Sequence, residues 1–288
     1  MKHFKTIIAV LVFTLTFSSS QAQQEIKLEN SVLWKIEHSG LKEPSYILGT
    51  LHLMCEDDFK ISKKITQTLQ NVDALVLEVN LSDPKEIKSM QESMKNPKKI
   101  SDEISKKQFE ELDTIVTKIM GTPLINFDSY GLSILNALML QKMLPCTEIK
   151  SLETELMALA IKQQKPIYSL EKVAEQMEII RTAYPTAFAL KQILLFESYR
   201  KDFNEAIVAY KNEDITTAVD LLTKEIYMDE NATNLMQVKR NKNWVEKMPQ
   251  MMKEKSNLFA VGTAHLTNEY GIINLLRQKG YTVTPVFN

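Results

Sequence analysis

The chain has 288 residues, enough for one large domain or two small ones, since single cores seldom grow past about 250–300 residues. With 44% apolar and 25% charged residues it has the make-up of a soluble globular protein, and a formal net charge of −1 gives no electrostatic ground for binding nucleic acid or an anionic membrane. Seven glycines against 14 methionines favour a helix-rich body over a β-sandwich, methionine being a filler of irregular gaps between helices.

The first 22 residues read as a signal peptide. Lys2, His3 and Lys5 make a short basic start, Ile7 to Phe17 is apolar, and Ser20-Gln21-Ala22 offers a cleavage box before Gln23. The apolar run is well short of the roughly 20 residues a membrane span needs, and no cysteine follows it to carry a lipid. The expectation is a periplasmic or secreted protein of residues 23–288, with no stable membrane span after cleavage. Oxidising conditions there permit a bridge between Cys55 and Cys146; two unpaired buried thiols are the alternative, and spacing does not decide between them.

Ser31 to His38 alternates as a strand, a turn follows at Gly40 to Pro44, and Tyr46 to Gly49 is a second strand. Ile61 to Leu69 has helical spacing. Asp73 then opens Ala74-Leu75-Val76-Leu77-Glu78-Val79, a continuous apolar run broken only by Glu78, as expected of a strand buried on both faces of a parallel sheet. From about 84 to 255 the pattern is mainly helical: Ser105 to Met120, Gly131 to Leu144, Thr154 to Gln164, Val173 to Tyr184, Thr186 to Tyr210, Ile215 to Tyr227 and Arg240 to Lys255. A short strand at Pro166 to Leu170 interrupts them. Asn257 to Val261 is a further strand, Glu269 to Lys279 a return helix capped by Gly280, and Tyr281 to Val286 a closing strand. The fold class expected is α/β, with a central sheet built from N- and C-terminal strands and a large helical insertion.

One feature recurs. Leu48-Gly49-Thr50-Leu51-His52-Leu53 returns as Val261-Gly262-Thr263-Ala264-His265-Leu266, and the chain has only four histidines. In an open α/β sheet, ligands gather beyond the carboxyl ends of the strands, where both copies fall. If the two strands are neighbours, His52 and His265 face one pocket. Glu78, at the end of its apolar strand, needs a partner, because a buried unpaired carboxylate is costly. Gly49, Thr50, Gly262 and Thr263 are candidates to approach a substrate. His38 reads as solvated, and no Gly-x-Ser-x-Gly elbow, Walker loop or dinucleotide fingerprint occurs, so nucleotides are not implied.

The paired Gly-x-x-His motifs, the strand glutamate and the closing Gly280-Tyr281-x-Val283 resemble the TraB/GumN family, to which the metal-dependent Tiki proteases are related. Leu170-Glu171 with Glu175-Gln176 is similar to the family's Leu-Glu-Thr…Gln segment, Lys172 replacing the threonine. Arg240-Asn241-x-x-Trp244 is similar to its Arg-Asn-x-x-Trp helix start, and Asn268 stands where a glycine is usual. The resemblance implies a fold of the erythromycin-esterase/ChaN-like type. It also implies His52, Glu78 and His265 as the catalytic and metal-binding set, with Glu171 and Arg240 in the same cleft.

Three readings follow from the resemblance. The first is an exported hydrolase acting on peptide or protein substrates with a divalent ion (manganese, cobalt or zinc). The second is a metal-free, esterase-like hydrolase in which His52 or His265 is a general base oriented by Glu78. The third is a non-catalytic binder of a peptide, tetrapyrrole or envelope partner.

Overall fold

A computed structural model describes residues 28–95 and 98–288, so the expected signal peptide lies outside the described residues. Among the described residues eight strands occur in chain order: β1 (Leu33–Glu37), β2 (Ser45–Thr50), β3 (Met54–Cys55), β4 (Ala74–Leu77), β5 (Ile149–Lys150), β6 (Ile167–Ser169), β7 (Asn257–Gly262) and β8 (Thr282–Pro285). Six of them form one sheet in the order β6-β4-β7-β2-β1-β8, and β3 pairs with β5 in a separate ribbon. β6, β4, β7 and β2 run parallel, while β1 lies antiparallel between β2 and β8. Every residue of β4 and β7 is buried, which explains why both read as unbroken apolar runs. The protein is a mixed α/β fold with a mostly parallel central sheet, and 57% of the described residues are helical.

Strands from both ends of the chain do make this sheet, with one addition. β6 comes from inside the 84–255 segment and forms the edge beside β4. The helices of that segment hold a second apolar cluster, with Ile100, Leu112, Val116, Leu135, Met139 and Phe196 among its members, apart from the sheet core around Trp34, Leu75, Phe259 and Trp244. Phe203 packs against both.

Several expected elements are cut differently. Thr186 to Tyr210 is two helices, Thr186–Leu194 and Phe196–Lys211, that meet at Leu195, whose N–H is shared between the Lys191 and Gln192 carbonyls. The break sends Phe196 into the cap core and, four turns on, lets the Tyr210 hydroxyl donate to the Gly49 carbonyl (2.8 Å). The expected helix to Tyr227 stops at Leu222, with the Thr223 hydroxyl donating back to the Val219 carbonyl. The return helix starts only at Ile272, after a turn in which Asn268 takes φ +68°, a conformation asparagine tolerates.

Cys55 and Cys146 form a disulfide, with Cα atoms 5.8 Å apart. The bridge sits at the end of the β3–β5 ribbon, where Cys55 pairs with Ile149. It ties the loop after β2 to the segment that leads into helix Leu152–Lys162.

Candidate active site

The parallel strands end side by side, and each carries an ionisable residue beyond its carboxyl end. Across β6, β4, β7 and β2 these are Glu171, Glu78, His265 and His52. Main-chain pairing continues past the strands, because the Glu171 N–H donates to the Glu78 carbonyl (3.0 Å). The sequence therefore delivers two carboxylates and two imidazoles to one sheet edge, where an α/β protein places its ligand.

The two Gly-Thr-x-His copies are neighbours, yet they are not in register. Thr50 pairs with Gly262 and Gly49 with Val261, so the first copy is staggered by one residue against the second. The offset gives the two rings different surroundings: the His52 side chain is 67% exposed and that of His265 only 7%. Both nevertheless reach the same space. A Cβ added to Gly262 would lie 3.3 Å from Glu78 Oε1, 3.4 Å from His52 Nε2 and 3.7 Å from His265 Cδ2. Gly262 is glycine where any side chain would enter that space.

Gly49 has a different reason. A Cβ there would come within 2.8 Å of both Thr263 Oγ1 and Leu266 Cδ1, so the residue lets the two motifs pack together. It does not line the cavity, whereas Thr50, Gly262 and Thr263 do.

Arg240 is the centre of the buried charge. Its Nη2 donates to Glu78 Oε2 (2.6 Å) and Glu171 Oε1 (2.6 Å), Nε donates to both Glu171 oxygens, and Nη1 reaches His265 Nε2 (3.1 Å) and the Met236 carbonyl (3.2 Å). Its guanidinium also lies over the Trp244 ring, 4.6 Å from the centroid, and Trp244 Nε1 donates to Glu171. Glu171 is thus enclosed behind the arginine and does not reach the cavity.

Glu78 accepts further from the Gly262 N–H (2.7 Å) and Gln176 Nε2 (3.0 Å). Burial alone would raise its pKa, but the Arg240 charge and the Gly262 N–H hold the carboxyl down to about 2.

The rings take their tautomers from their partners. Asn241 Oδ1 lies 2.6 Å from His265 Nδ1, so Nδ1 carries the proton and Nε2 accepts from Arg240. Burial, helped by the neighbouring Arg240 charge, lowers His265 to about 3 and keeps it neutral. His52 Nδ1 donates to Glu153 Oε1 (2.7 Å) and leaves Nε2 facing the cavity. Crowding by the protein works against charge on His52, but the Glu153 hydrogen bond and carboxylate outweigh it, aided by Glu78, and raise it to about 9. Glu78 orients neither ring: that work falls to Glu153 and Asn241.

Glu153 is the functional residue that sequence reasoning missed. Its carboxylate also accepts from Thr50 Oγ1 (2.5 Å) and Ser151 Oγ (2.9 Å), so two hydroxyls fix it against His52. It occupies the first turn of helix Leu152–Lys162, where an acidic residue is ordinary because the helix dipole favours it. Nothing in the sequence pairs it with a histidine 101 residues earlier.

The resemblance implies a divalent ion on His52, Glu78 and His265. The donor types suit one, but their placement does not: among the described residues no three His, Cys, Asp or Glu side chains stand so that they could hold a metal ion. Arg240 already occupies the lone pairs of His265 Nε2 and Glu78 Oε2. As arranged, these residues do not fit an ion.

The cavity beside them has a volume of about 300 Å³. One side carries His52, Glu78, Arg240 and His265, and the other is apolar, with Leu140, Tyr199, Phe203, Leu222 and Met228 from the helical insertion. A charged sheet edge facing an apolar helical wall defines an α/β protein with a partly open cavity beyond the ends of its parallel strands. The sequence pattern of the TraB/PrgY/gumN family matches residues 32–285, nearly the whole chain, and the protein belongs to that family. No curated protein and no solved structure matches it.

Proposed function

We propose that this protein is a hydrolase acting on peptide bonds, with His52 as its general base. The observation that carries this reading is the His52–Glu153 pair. One ring nitrogen is fixed on a half-buried carboxylate and the other opens over Gly262 beside Glu78 Oε1. Once His52 has lost its proton, at a pH near its raised value of about 9, Nε2 joins Glu78 Oε1 in offering acceptors to a nucleophilic water over Gly262. His52 Nε2 takes its proton as the oxygen attacks the carbonyl carbon, and Glu78 orients the remaining O–H. The imidazolium so formed, stabilised by Glu153, then returns the proton to the leaving amine as the C–N bond breaks. Neutral His265 and the Arg240 cluster hold Glu78 ionised and in place.

The test is hydrolysis of a quenched-fluorescence peptide library by the purified protein, beside His52→Ala and under extensive chelation. Turnover that survives chelation and drops at least about 100-fold in His52→Ala supports the proposal. Equal turnover by both proteins would remove His52 from the chemistry.

A metal-dependent version of the same hydrolysis has one observation in its favour. Both histidines are held through Nδ1 by an oxygen acceptor, the arrangement usual behind metal-ligating imidazoles. It requires Arg240 to withdraw from His265 and Glu78. Activity lost on chelation and restored by manganese, cobalt or zinc, with stoichiometric metal in the purified protein, would favour it. The disulfide supports the proposal of a periplasmic or secreted location, and the sheet with its helical insertion is compatible with an erythromycin-esterase/ChaN-like relationship.

A further inference from the structure

Gln237 lines the cavity, is 1% exposed, and has no hydrogen-bond partner for either its amide oxygen or its amide nitrogen among the described residues. Buried polar groups are nearly always paired, and leaving both ends of an amide unpaired weakens the fold. A side chain kept in that condition at the wall of a cavity is waiting for a partner that comes with the ligand.

The backbone singles out the same position. Residues 230–254 run as one helix, but Asn234–Val238 is a π-helical turn, with the Lys239 N–H donating to the Asn234 carbonyl. Such wide turns interrupt α-helices mostly at functional sites. Gln237, Arg240, Asn241 and Trp244 then follow at steps of three, one and three, so the orphaned amide stands above the residues that hold Glu78 and His265.

We propose that Gln237 is a substrate-recognition residue whose carboxamide pairs with the N–H and C=O of one residue of an extended peptide, the apolar side chain of that residue filling the pocket. This deepens the peptide-hydrolase reading and rests on it. A primary amide presents a donor and an acceptor side by side, and a residue in extended conformation turns its own N–H and C=O to the same side. One such residue satisfies both ends of Gln237. A carboxylate would leave the amide oxygen facing an acceptor, and an ammonium group would leave the amide nitrogen facing a donor. The wall formed by Leu140, Tyr199, Phe203, Leu222 and Met228 offers no charge, so the side chain it accepts is aliphatic or aromatic.

The experiment measures binding by calorimetry in a His52→Ala background, so that nothing is turned over. The probes are N-acetylated, C-amidated tripeptides with Leu, Phe, Asp or Lys at the centre, together with a Leu analogue whose central N–H is replaced by an ester oxygen. Leu and Phe peptides are expected to bind and Asp and Lys peptides to bind at least about tenfold more weakly. The ester analogue is expected to bind about tenfold more weakly than its amide parent, and Gln237→Met to abolish that difference.

Gln237→Met should melt at the parent temperature or a few degrees higher, because it removes an orphaned amide at nearly constant volume. A clear fall in its melting temperature would make Gln237 structural and overturn the proposal. An unchanged amide-to-ester ratio in Gln237→Met, or no binding of any tripeptide, would overturn it equally. Selective binding without cleavage of the same peptides by the unsubstituted protein would uphold the Gln237 assignment and remove the hydrolase reading alone.

Discussion

At the scale of single residues, the site depends on what surrounds two rings that look equivalent in the sequence. His52 and His265 occupy the same place in a repeat, but one is raised to about 9 by Glu153 and the other lowered to about 3 by burial beside Arg240. Glu153→Gln keeps the shape and removes the charge, so the activity on peptides should fall by about 10²–10⁴-fold. The rising limb of kcat/KM against pH should also move downward, from near 9 towards the ordinary histidine range. A limb that stays where it was would separate Glu153 from the proton transfer.

Gly262→Ala tests the space itself. Its Cβ would crowd Glu78 Oε1 and His52 Nε2, so activity should drop about 100-fold. Its φ of −51° suits alanine, so the thermal midpoint should hold or rise slightly.

At the scale of elements, four strand ends and two helices make the site. Three of the strand ends are legible: the apolar run ending in Glu78 and the twin motifs point to parallel strands with polar residues at their tips. Their order in the sheet was not legible, because pairing between segments about 200 residues apart leaves no local pattern. The one-residue stagger of β2 against β7 was equally invisible, and it is what sets the two histidines apart. The expected helix begins at Thr154 and the helix itself at Leu152, so Glu153 falls in a first turn that the apolar periodicity does not mark. Gln237 lay outside the expected Arg240 to Lys255 helix because a π turn does not follow the 3.6-residue period.

Arg240, by contrast, combines all these elements. Arg240→Met strands two buried carboxylates and should cost about 3–5 kcal/mol of stability, lowering the melting temperature by roughly 6–20 °C. An unaffected melting temperature would mean that water reaches Glu78 and Glu171 once the guanidinium is gone.

For the whole molecule, these perturbed groups determine how stability varies with pH. His265 titrates near 3 in the folded protein and near 6.5 when unfolded; its contribution is complete above about 6.5 and is lost as pH falls. Glu78, near 2 folded and 4.5 unfolded, loses its contribution between those values. His52 acts oppositely: its contribution is present below 6.5 and lost as pH rises through about 9, though its exposure makes that effect small. Melting temperature should therefore peak near neutral pH and fall more steeply on the acid side, as a calorimetric series from pH 4 to 10 would register. A profile level down to pH 4 would contradict the neutral, buried state of His265.

The Cys55–Cys146 bridge fastens the two ends of the His52–Glu153 pair from outside the cavity. A preparation purified in dithiothreitol would therefore be assayed with its acid–base couple unfastened. A blank result obtained in such a buffer would reflect the reductant, and the protein should be screened for the proposed activity only after air or glutathione has closed the link.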